Sequence, residues 1–182
     1  MPAVVSDAGP LIHLAQINKV YLINKIFKQV LITSRVMKEA YEEGVKLGRP
    51  DAQIIGKAMG EGWIIIEEIP RSLVSASKRL AEGEKISKAD AEILLFAREK
   101  RAEVLVDEKA LSNLAAMYGL KAWNTWTVLL EGLRMGFIEI SDVEAAIKEL
   151  GEKRHKLRKE QAAQILHAAK FIARKRKVEE TR

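Results

Sequence analysis

The amino-acid sequence predicts an α/β fold in which a parallel sheet is covered by helices on both faces. Short apolar runs rich in β-branched residues alternate with amphipathic helical stretches along most of the chain, and this alternation implies right-handed crossovers between parallel strands. No internal repeat or low-complexity linker interrupts the pattern. The 182 residues suit one domain over residues 1–150 with an appended segment over residues 151–182.

The first half of the chain contains three of the predicted strands. They cover residues 3–6, 30–32 and 63–66, and the third follows a helix over residues 51–59. Gly9 and Pro10 break the chain after the first strand, and an apolar helical pattern follows them. After the second strand, Thr33 or Ser34 is expected to cap a helix that ends at Gly44.

The second half of the chain continues the alternation with two more strands. These cover residues 103–106 and 121–123. Residues 71–86 are expected to contain helix and loop, and Ser87 is expected to cap the helix that follows. The helix after the fourth strand is expected to stop at Gly119, and the helix after the fifth strand starts at Thr125.

Two of the predicted strands end in an aspartate at the same edge of the sheet. Asp7 follows the first strand and Asp107 follows the fourth. In an open parallel sheet, ligands bind at the carboxyl ends of the strands. Together with Glu39 and Asp90, these side chains offer the carboxylate oxygens that Mg²⁺ and Mn²⁺ take as ligands. A metal held in this way activates water and stabilises the leaving oxygen at a phosphodiester.

Each of these four acids also has a structural interpretation. Asp7 and Asp107 directly precede helical segments, where an aspartate cap contributes about 1 kcal/mol. Asp90 lies three residues after Ser87, which is the spacing of a capping box. Glu39 shares its helix face with other glutamates and is compatible with a solvated surface. The functional interpretation therefore depends on the four acids in combination.

The composition excludes several classes of protein. Without cysteine, the chain has neither a disulfide framework nor a thiolate zinc site, and it has no cysteine nucleophile. No window approaches the roughly 18 apolar residues of a membrane helix, and the N-terminus lacks the pattern of a signal peptide. A cytoplasmic protein without a membrane partner is the expectation.

The appended segment carries most of the positive charge. Residues 151–182 hold 11 Lys or Arg against 4 Asp or Glu, a net charge of +7, and the remaining 20 basic and 21 acidic residues leave residues 1–150 at −1. From Lys153 to Lys177 the apolar residues follow the spacing of an amphipathic helix. Two cationic clusters on it suit RNA phosphates. The candidate RNA-binding residues are Lys153, Arg154, Arg158, Lys159, Arg174, Lys175, Arg176 and Lys177. The alternative is a solvated helix that packs on its own domain or on a second copy.

The histidines and tryptophans favour structural roles. His13 falls inside an apolar helical stripe, which favours a core or surface position over metal ligation. His155 and His167 show no recognisable metal spacing. Trp123 and Trp126 have the chemistry to stack on bases, but their place at a strand end and a helix start favours the core.

Four segments of the chain, in this order, resemble the motifs of the PIN-domain family. They are residues 4–12, 36–39, 86–94 and 104–108, which contain Asp7, Glu39, Asp90 and Asp107. The resemblance covers about residues 3–140. The stretch from Trp123 to Ile138 is also similar to a prokaryotic subgroup of predicted nucleic-acid-binding PIN proteins. The resemblance implies a three-layer α/β/α fold, to which the basic C-terminal helix is added.

The resemblance also implies the chemistry. The usual activity of the family is endoribonuclease cleavage of single-stranded RNA with Mg²⁺ or Mn²⁺. By this resemblance, Asp7, Glu39, Asp90 and Asp107 are the metal ligands and the catalytic residues. Many members are toxins held by an antitoxin protein, and an RNA-processing role is the other expectation. By the same resemblance, a homodimer is expected.

The chain departs from the family pattern at positions where hydroxyl groups are common. Ala8, Gly9 and Val106 stand where the family often has Thr or Ser. The accessory candidates are Ser6 and Asn113 as substitutes, Glu108 as a fifth acid, and Glu92 as a rival to Asp90 on another helix face. These departures and the basic segment leave an alternative function open, a catalytically weak RNA-binding or interaction module.

Overall fold

A five-stranded parallel sheet forms the centre of the described part of the chain. The computed structural model describes residues 2–153, residue 155 and residues 157–180, except the side chain of Glu180. The strands are β1 (Ala3–Ser6), β2 (Gln29–Ile32), β3 (Ile64–Ile66), β4 (Glu103–Leu105) and β5 (Ala122–Trp123). They lie in the order β3-β2-β1-β4-β5, and neighbouring strands are parallel. The predicted α/β class and parallel sheet are confirmed.

The central strand β1 is covered on both faces. Val4 and Val5 are fully buried, as is typical of a strand in a parallel sheet with helices on both sides. Val5 pairs with Leu31 of β2 and with Val104 of β4. Because β1 and β4 are adjacent and parallel, the residues that follow these two strands leave the sheet at the same edge.

Helices connect the strands and cover the sheet. They are α1 (Ala8–Gln16), α2 (Tyr21–Ile26), α3 (Ser34–Met37), α4 (Glu43–Lys46), α5 (Pro50–Gly60), α6 (Arg71–Glu84), α7 (Lys88–Lys100), α8 (Lys109–Met117), α9 (Thr125–Arg134), α10 (Ile140–Glu152) and α11 (Lys159–Glu180), and a π-helical turn (Lys38–Glu42) joins α3 to α4. α1 packs against α5 and α9, whereas α7 packs against α6 and contacts β1 and β4. Right-handed crossovers place these two groups on opposite faces. In the described ranges, no helix combines the length and the apolar character needed to cross a membrane.

The helix after β2 does not end at Gly44, so this prediction is wrong. The helix continues through the π-helical turn and α4 to Lys46, and the chain turns at Gly48, whose φ is +64°. Gly44 is buried, and a Cβ atom placed there would lie 2.6 Å from the Cβ of Ala52. The glycine permits the close approach of α4 and α5 and does not act as a stop signal.

Two helices, α2 and α10, have no counterpart in the sequence prediction. α2 is only six residues long, and its N-terminus has no side-chain cap among the described residues. α10 begins with a capping box formed by Glu139 and Asp142. Lys19 Nζ lies 2.7 Å from Asp142 Oδ1 and ties α10 to the loop after α1. α10 also runs across residue 150, where the sequence places the end of the first domain.

The basic tail forms helix α11, which packs along the domain. It begins at Lys159 and not at Lys153 as predicted. Its apolar stripe faces inward, since Ala169 is fully buried and Ile165 and Ile172 pack against the core. α11 contacts both α9 and α10. The predicted amphipathic C-terminal helix is confirmed.

Arg176 fastens the end of α11 to the domain. Its guanidinium group donates hydrogen bonds to the backbone oxygens of Leu133 (2.9 Å) and Ile138 (3.3 Å). It also pairs with Glu139 Oε1 at 2.5 Å. The Arg176 side chain is only 16% exposed, so its bonds to the two backbone oxygens are partly shielded from water, whereas the Glu139 side chain is 62% exposed.

Replacing Arg176 with Ala is expected to lower the free energy of unfolding by about 1.5–3 kcal/mol, because charge-assisted hydrogen bonds are lost in a shielded position. Urea denaturation measures the change. The matched control is Arg174→Ala, an exposed arginine on the same helix, which should change stability by less than about 0.5 kcal/mol. Equal losses in both variants would contradict the docking role of Arg176.

Candidate functional site

Asp7 lies at the end of β1, in extended backbone before α1. Its backbone N–H donates to the oxygen of Leu105 at 3.0 Å, which holds it beside β4. Among the described residues, its side chain makes no helix-capping hydrogen bond. The pKa of the Asp7 carboxyl is raised, mainly because the group is buried. The negative charges of Asp90 and Asp107 raise it further, and the backbone N–H of Ala8 acts in the opposite direction.

Asp107 follows β4, and its carboxylate accepts three hydrogen bonds. Oδ1 accepts from the backbone N–H of Thr125 at 2.8 Å, and Oδ2 accepts from the Thr125 hydroxyl at 2.8 Å and from His13 Nδ1 at 2.6 Å. Burial alone would raise the pKa of the Asp107 carboxyl, but the bonds from His13 and Thr125 outweigh burial and lower it. Asp107 is therefore held ionised in a fixed orientation.

Gly9, in the first turn of α1, is close to the carboxylates of both aspartates. A Cβ atom at this position would lie 3.8 Å from Asp7 Oδ2 and 3.9 Å from Asp107 Oδ2. One oxygen of each carboxylate thus faces the same small volume. A larger side chain at residue 9 would enter the space between the two carboxylates.

Glu39 lies in the π-helical turn after α3. Burial raises the pKa of its carboxyl, and the negative charges of Asp7 and Glu43 raise it further. Single π-helical turns inside α-helices are frequent at functional sites. Asp7 is thus close enough for its negative charge to act on the Glu39 carboxyl.

Asp90 combines the predicted cap with proximity to Asp7. Its backbone N–H donates to Ser87 Oγ at 3.0 Å, and its Oδ2 accepts from Ser87 Oγ at 2.7 Å. Its charge also raises the pKa of Asp7. Its rival Glu92 is buried and pairs with Arg35 at 3.4 Å and with Lys88 at 3.6 Å.

The accessory candidates occupy different environments. Ser6 is buried, and its hydroxyl donates to the backbone oxygen of Asp7 at 2.8 Å. Glu108 is exposed at the residue before α8, and Asn113 is exposed within α8. The hydroxyl that reaches Asp107 belongs to Thr125, which is fully buried at the start of α9.

Thr125 and His13 are the site residues that the sequence reasoning missed. Thr125 follows β5, the neighbour of β4, so the strand order is the signal that would have pointed to it. His13 was expected in the core or on the surface, but it contacts Asp107 across 94 residues of chain. Its place on the helix that follows Asp7 was the available signal, since α1 starts at the carboxyl edge of the sheet.

His155 extends the site toward the tail. Its imidazole ring stacks on that of His13, with ring centroids 3.8 Å apart, and lies parallel to Trp126 at 5.9 Å. Burial lowers the pKa of His155, and His13 lowers it further, although Asp107 acts in the opposite direction. A cavity of about 440 Å³ opens beside these rings. It is lined by Asp107, Lys109, Asn124, Trp126, His155 and Gln161, among others.

Comparisons with known proteins show which family this architecture belongs to. A family model described as a PIN domain matches residues 3–170, which is nearly the whole chain. The chain belongs to the PIN-domain family. The crystal structure of PAE2754 from Pyrobaculum aerophilum is similar, with a TM-score of 0.50 and 18% sequence identity over 71% of this chain and 88% of that chain. At this identity the likeness shows the fold alone. The comparison with curated proteins gave no match.

Membership in the PIN-domain family assigns the chain to a family of nucleases whose members typically bind a divalent metal. The three-layer fold around a parallel sheet, expected from the motif resemblance, is confirmed. In this PIN domain, Asp7 and Asp107 follow the adjacent strands β1 and β4. Glu39 lies in the π-helical turn, and Asp90 lies in the first turn of α7.

The cationic residues predicted to bind RNA fall into two groups on the PIN domain. Lys153, Arg158 and Lys159 are exposed near the start of α11, and Arg174, Lys175 and Lys177 are exposed near its end. The first group is close to the cavity, because Leu157 and Gln161 line it. Arg176 is engaged in docking α11, and Arg154 lies outside the described residues.

Proposed function

We propose that this PIN domain is an endoribonuclease that uses Mg²⁺ or Mn²⁺ to hydrolyse phosphodiester bonds in single-stranded RNA. The observation that supports it most is that one carboxylate oxygen of Asp7 and one of Asp107 lie within 4 Å of the same point beside Gly9. Asp90 and Glu39 join them through the charge interactions that both have with Asp7. Family membership supports the nuclease class.

The donor set suits a hard divalent cation. Carboxylate oxygens are the ligands that Mg²⁺ and Mn²⁺ prefer, and Asp7, Glu39, Asp90 and Asp107 supply them. The pKa values of Asp7 and Glu39 are raised partly by neighbouring carboxylates, and a bound cation would offset this repulsion. When bound, the metal supplies an activated water and stabilises the leaving oxygen.

The surrounding residues prepare the acids for this task. Thr125 and His13 hold Asp107 in one orientation through their hydrogen bonds. Outer partners of this kind fix the geometry of a metal ligand. Gly9 places no side chain beside Asp7 Oδ2 and Asp107 Oδ2, which would leave room at these oxygens for a cation and a substrate phosphate.

The RNA would approach along the cavity beside Asp107. Lys109 lines this cavity, and Arg158 and Lys159 are exposed at its margin. Cations in these positions bind phosphates without reading sequence. We therefore place the exposed cations near the start of α11, namely Lys153, Arg158 and Lys159, on the RNA path. The exposed cations near its end, Arg174, Lys175 and Lys177, would make further phosphate contacts.

The test is cleavage of an end-labelled pool of mixed single-stranded RNAs by the full chain. We expect cleavage with Mn²⁺ or Mg²⁺, loss of cleavage with a chelator, and recovery when the metal is added back. Salt-sensitive RNA binding without cleavage under any of these metal conditions would replace the enzyme with an RNA-binding module. Cleavage that persists in the chelator would contradict the metal-dependent mechanism.

A further inference from the structure

One ligand-capable cluster lies beside the four-acid site and is distinct from it. His13, Asp107 and His155 each offer one ligand atom, and these atoms all lie within 4.8 Å of one another. Two of the three ligand groups are imidazoles. The cluster shares only Asp107 with the four-acid site, so its chemistry is set mainly by nitrogen.

An unpaired atom of His155 is a second, independent indication of a ligand at this cluster. Its Nε2 atom is buried and has no hydrogen-bond partner among the described residues. A buried polar atom left unpaired costs about 1–3 kcal/mol, and an ion is one of the partners that explain such an atom. The backbone N–H of His155 donates to the oxygen of Leu150 at 2.9 Å, which holds the backbone of His155 beside α10.

Ring packing and one hydrogen bond to Asp107 position the two imidazoles. His155 lies between the His13 ring at 3.8 Å and the Trp126 ring at 5.9 Å. Trp126 is itself buried. His13 Nδ1 is already 2.6 Å from Asp107 Oδ2, so two of the three ligand groups are in direct contact before any ion binds.

We propose that His13, Asp107 and His155 form a second metal site, selective for zinc-class transition ions. Two imidazole nitrogens with one carboxylate oxygen, and a fourth position open to water, make a common ligand set for Zn²⁺. Ligand bonds of about 2.0–2.2 Å require the three ligand atoms, which now lie within 4.8 Å of one another, to rearrange around the ion. His13 Nδ1 and Asp107 Oδ2 must separate from their 2.6 Å contact to admit it, and rotation of the two histidine side chains out of their stack provides this movement. Imidazole favours Zn²⁺, Co²⁺ or Ni²⁺ over Mg²⁺, which separates this site from the proposed Mg²⁺ or Mn²⁺ site.

The site is tested by binding, which does not require nuclease activity. Co²⁺ is titrated into the full chain purified without a histidine tag, and the visible absorption of four-coordinate Co²⁺ is recorded. We expect one Co²⁺ ion per chain, displaced by Zn²⁺ and not by excess Mg²⁺. His13→Ala and His155→Ala should each weaken binding at least about 100-fold, since removal of outer partners alone costs up to about that factor.

The controls distinguish this site from nonspecific binding and from the four-acid site. His167→Ala removes the remaining histidine, which is exposed on α11, and should bind Co²⁺ like the wild type. Asp7→Asn should also retain Co²⁺ binding, because Asp7 is outside the cluster. Thermal melts of each variant verify folding, and His155→Gln provides a milder second variant. No visible absorption in the wild type, unchanged affinity in both histidine variants, or displacement by Mg²⁺ would each overturn the proposal.

Discussion

Replacing Asp7 with Asn is expected to abolish metal-dependent RNA cleavage and, at the same time, to stabilise the metal-free protein at neutral pH. Cleavage should fall at least about 100-fold, because even outer-shell changes at a metal site cost up to that factor. Stability should rise because burial and the charges of Asp90 and Asp107 disfavour the ionised carboxyl. Asn keeps the shape of Asp7 without the charge.

The pH dependence of this effect follows from the sign of the shift. The pKa of Asp7 in the folded protein is raised, so the stability that it contributes is present below its unfolded pKa and is lost as the pH rises through its folded pKa. The Asp7→Asn variant has no carboxyl to ionise at this position, so it does not lose this stability. A gain of about 1 kcal/mol would raise the melting temperature by roughly 2–4 °C for a chain of this size.

Cleavage assays with Mn²⁺ and thermal melts in chelator, at several pH values, measure the two effects of Asp7→Asn. Glu144→Gln is the control, since it removes an exposed acid on α10 that is not among the candidate site residues and should leave cleavage and stability close to wild type. Wild-type cleavage by the Asn variant would remove Asp7 from the site. A metal-free variant less stable than wild type at neutral pH would contradict the account of its burial.

Replacing Asp107 with Asn is also expected to abolish cleavage, but with the opposite effect on stability. The Asp107 carboxylate accepts hydrogen bonds from His13 and from two donors of the buried Thr125. The Asn side chain has one accepting oxygen and places its own N–H groups toward a donor. We expect a loss of about 1–3 kcal/mol at neutral pH, because a buried donor is left unpaired.

The loss in Asp107→Asn should shrink in acid. The folded pKa of Asp107 is lowered, so its stabilising contribution is present above the unfolded pKa and disappears as the pH falls through the folded pKa. Urea denaturation of wild type and variant at neutral and acidic pH measures this difference. A variant as stable as wild type at neutral pH would show that the three bonds do not hold Asp107, and Glu144→Gln again serves as the control.

The sheet and the position of its acids could be predicted because both follow from local patterns. β-branched runs identify the strands, and the parallel arrangement brings the residues after β1 and β4 to one edge. Asp7 and Asp107 follow from that rule. The capping role of Ser87 toward Asp90 follows from a three-residue spacing and is observed as two hydrogen bonds.

The partners of the acids depend on contacts that no local pattern encodes. His13 reaches Asp107 across 94 residues and Thr125 reaches it across 18. The end of the helix after β2 could not be predicted for a similar reason. A glycine that ends a helix and a glycine that permits close packing cannot be told apart from the local sequence around Gly44. Only the neighbouring Ala52 distinguishes them.

The π-helical turn also determines how its helix faces its neighbours. An extra residue in a helix shifts the angular position of everything after it by about 100°. Val36 before the turn is buried in the core, and Gly44 after it rests on Ala52. Removing one residue from the turn would rotate one of these surfaces away from its partner. The π-helical turn that contains Glu39 therefore lets both ends of one helix face their partners, with Val36 toward the core and Gly44 toward Ala52.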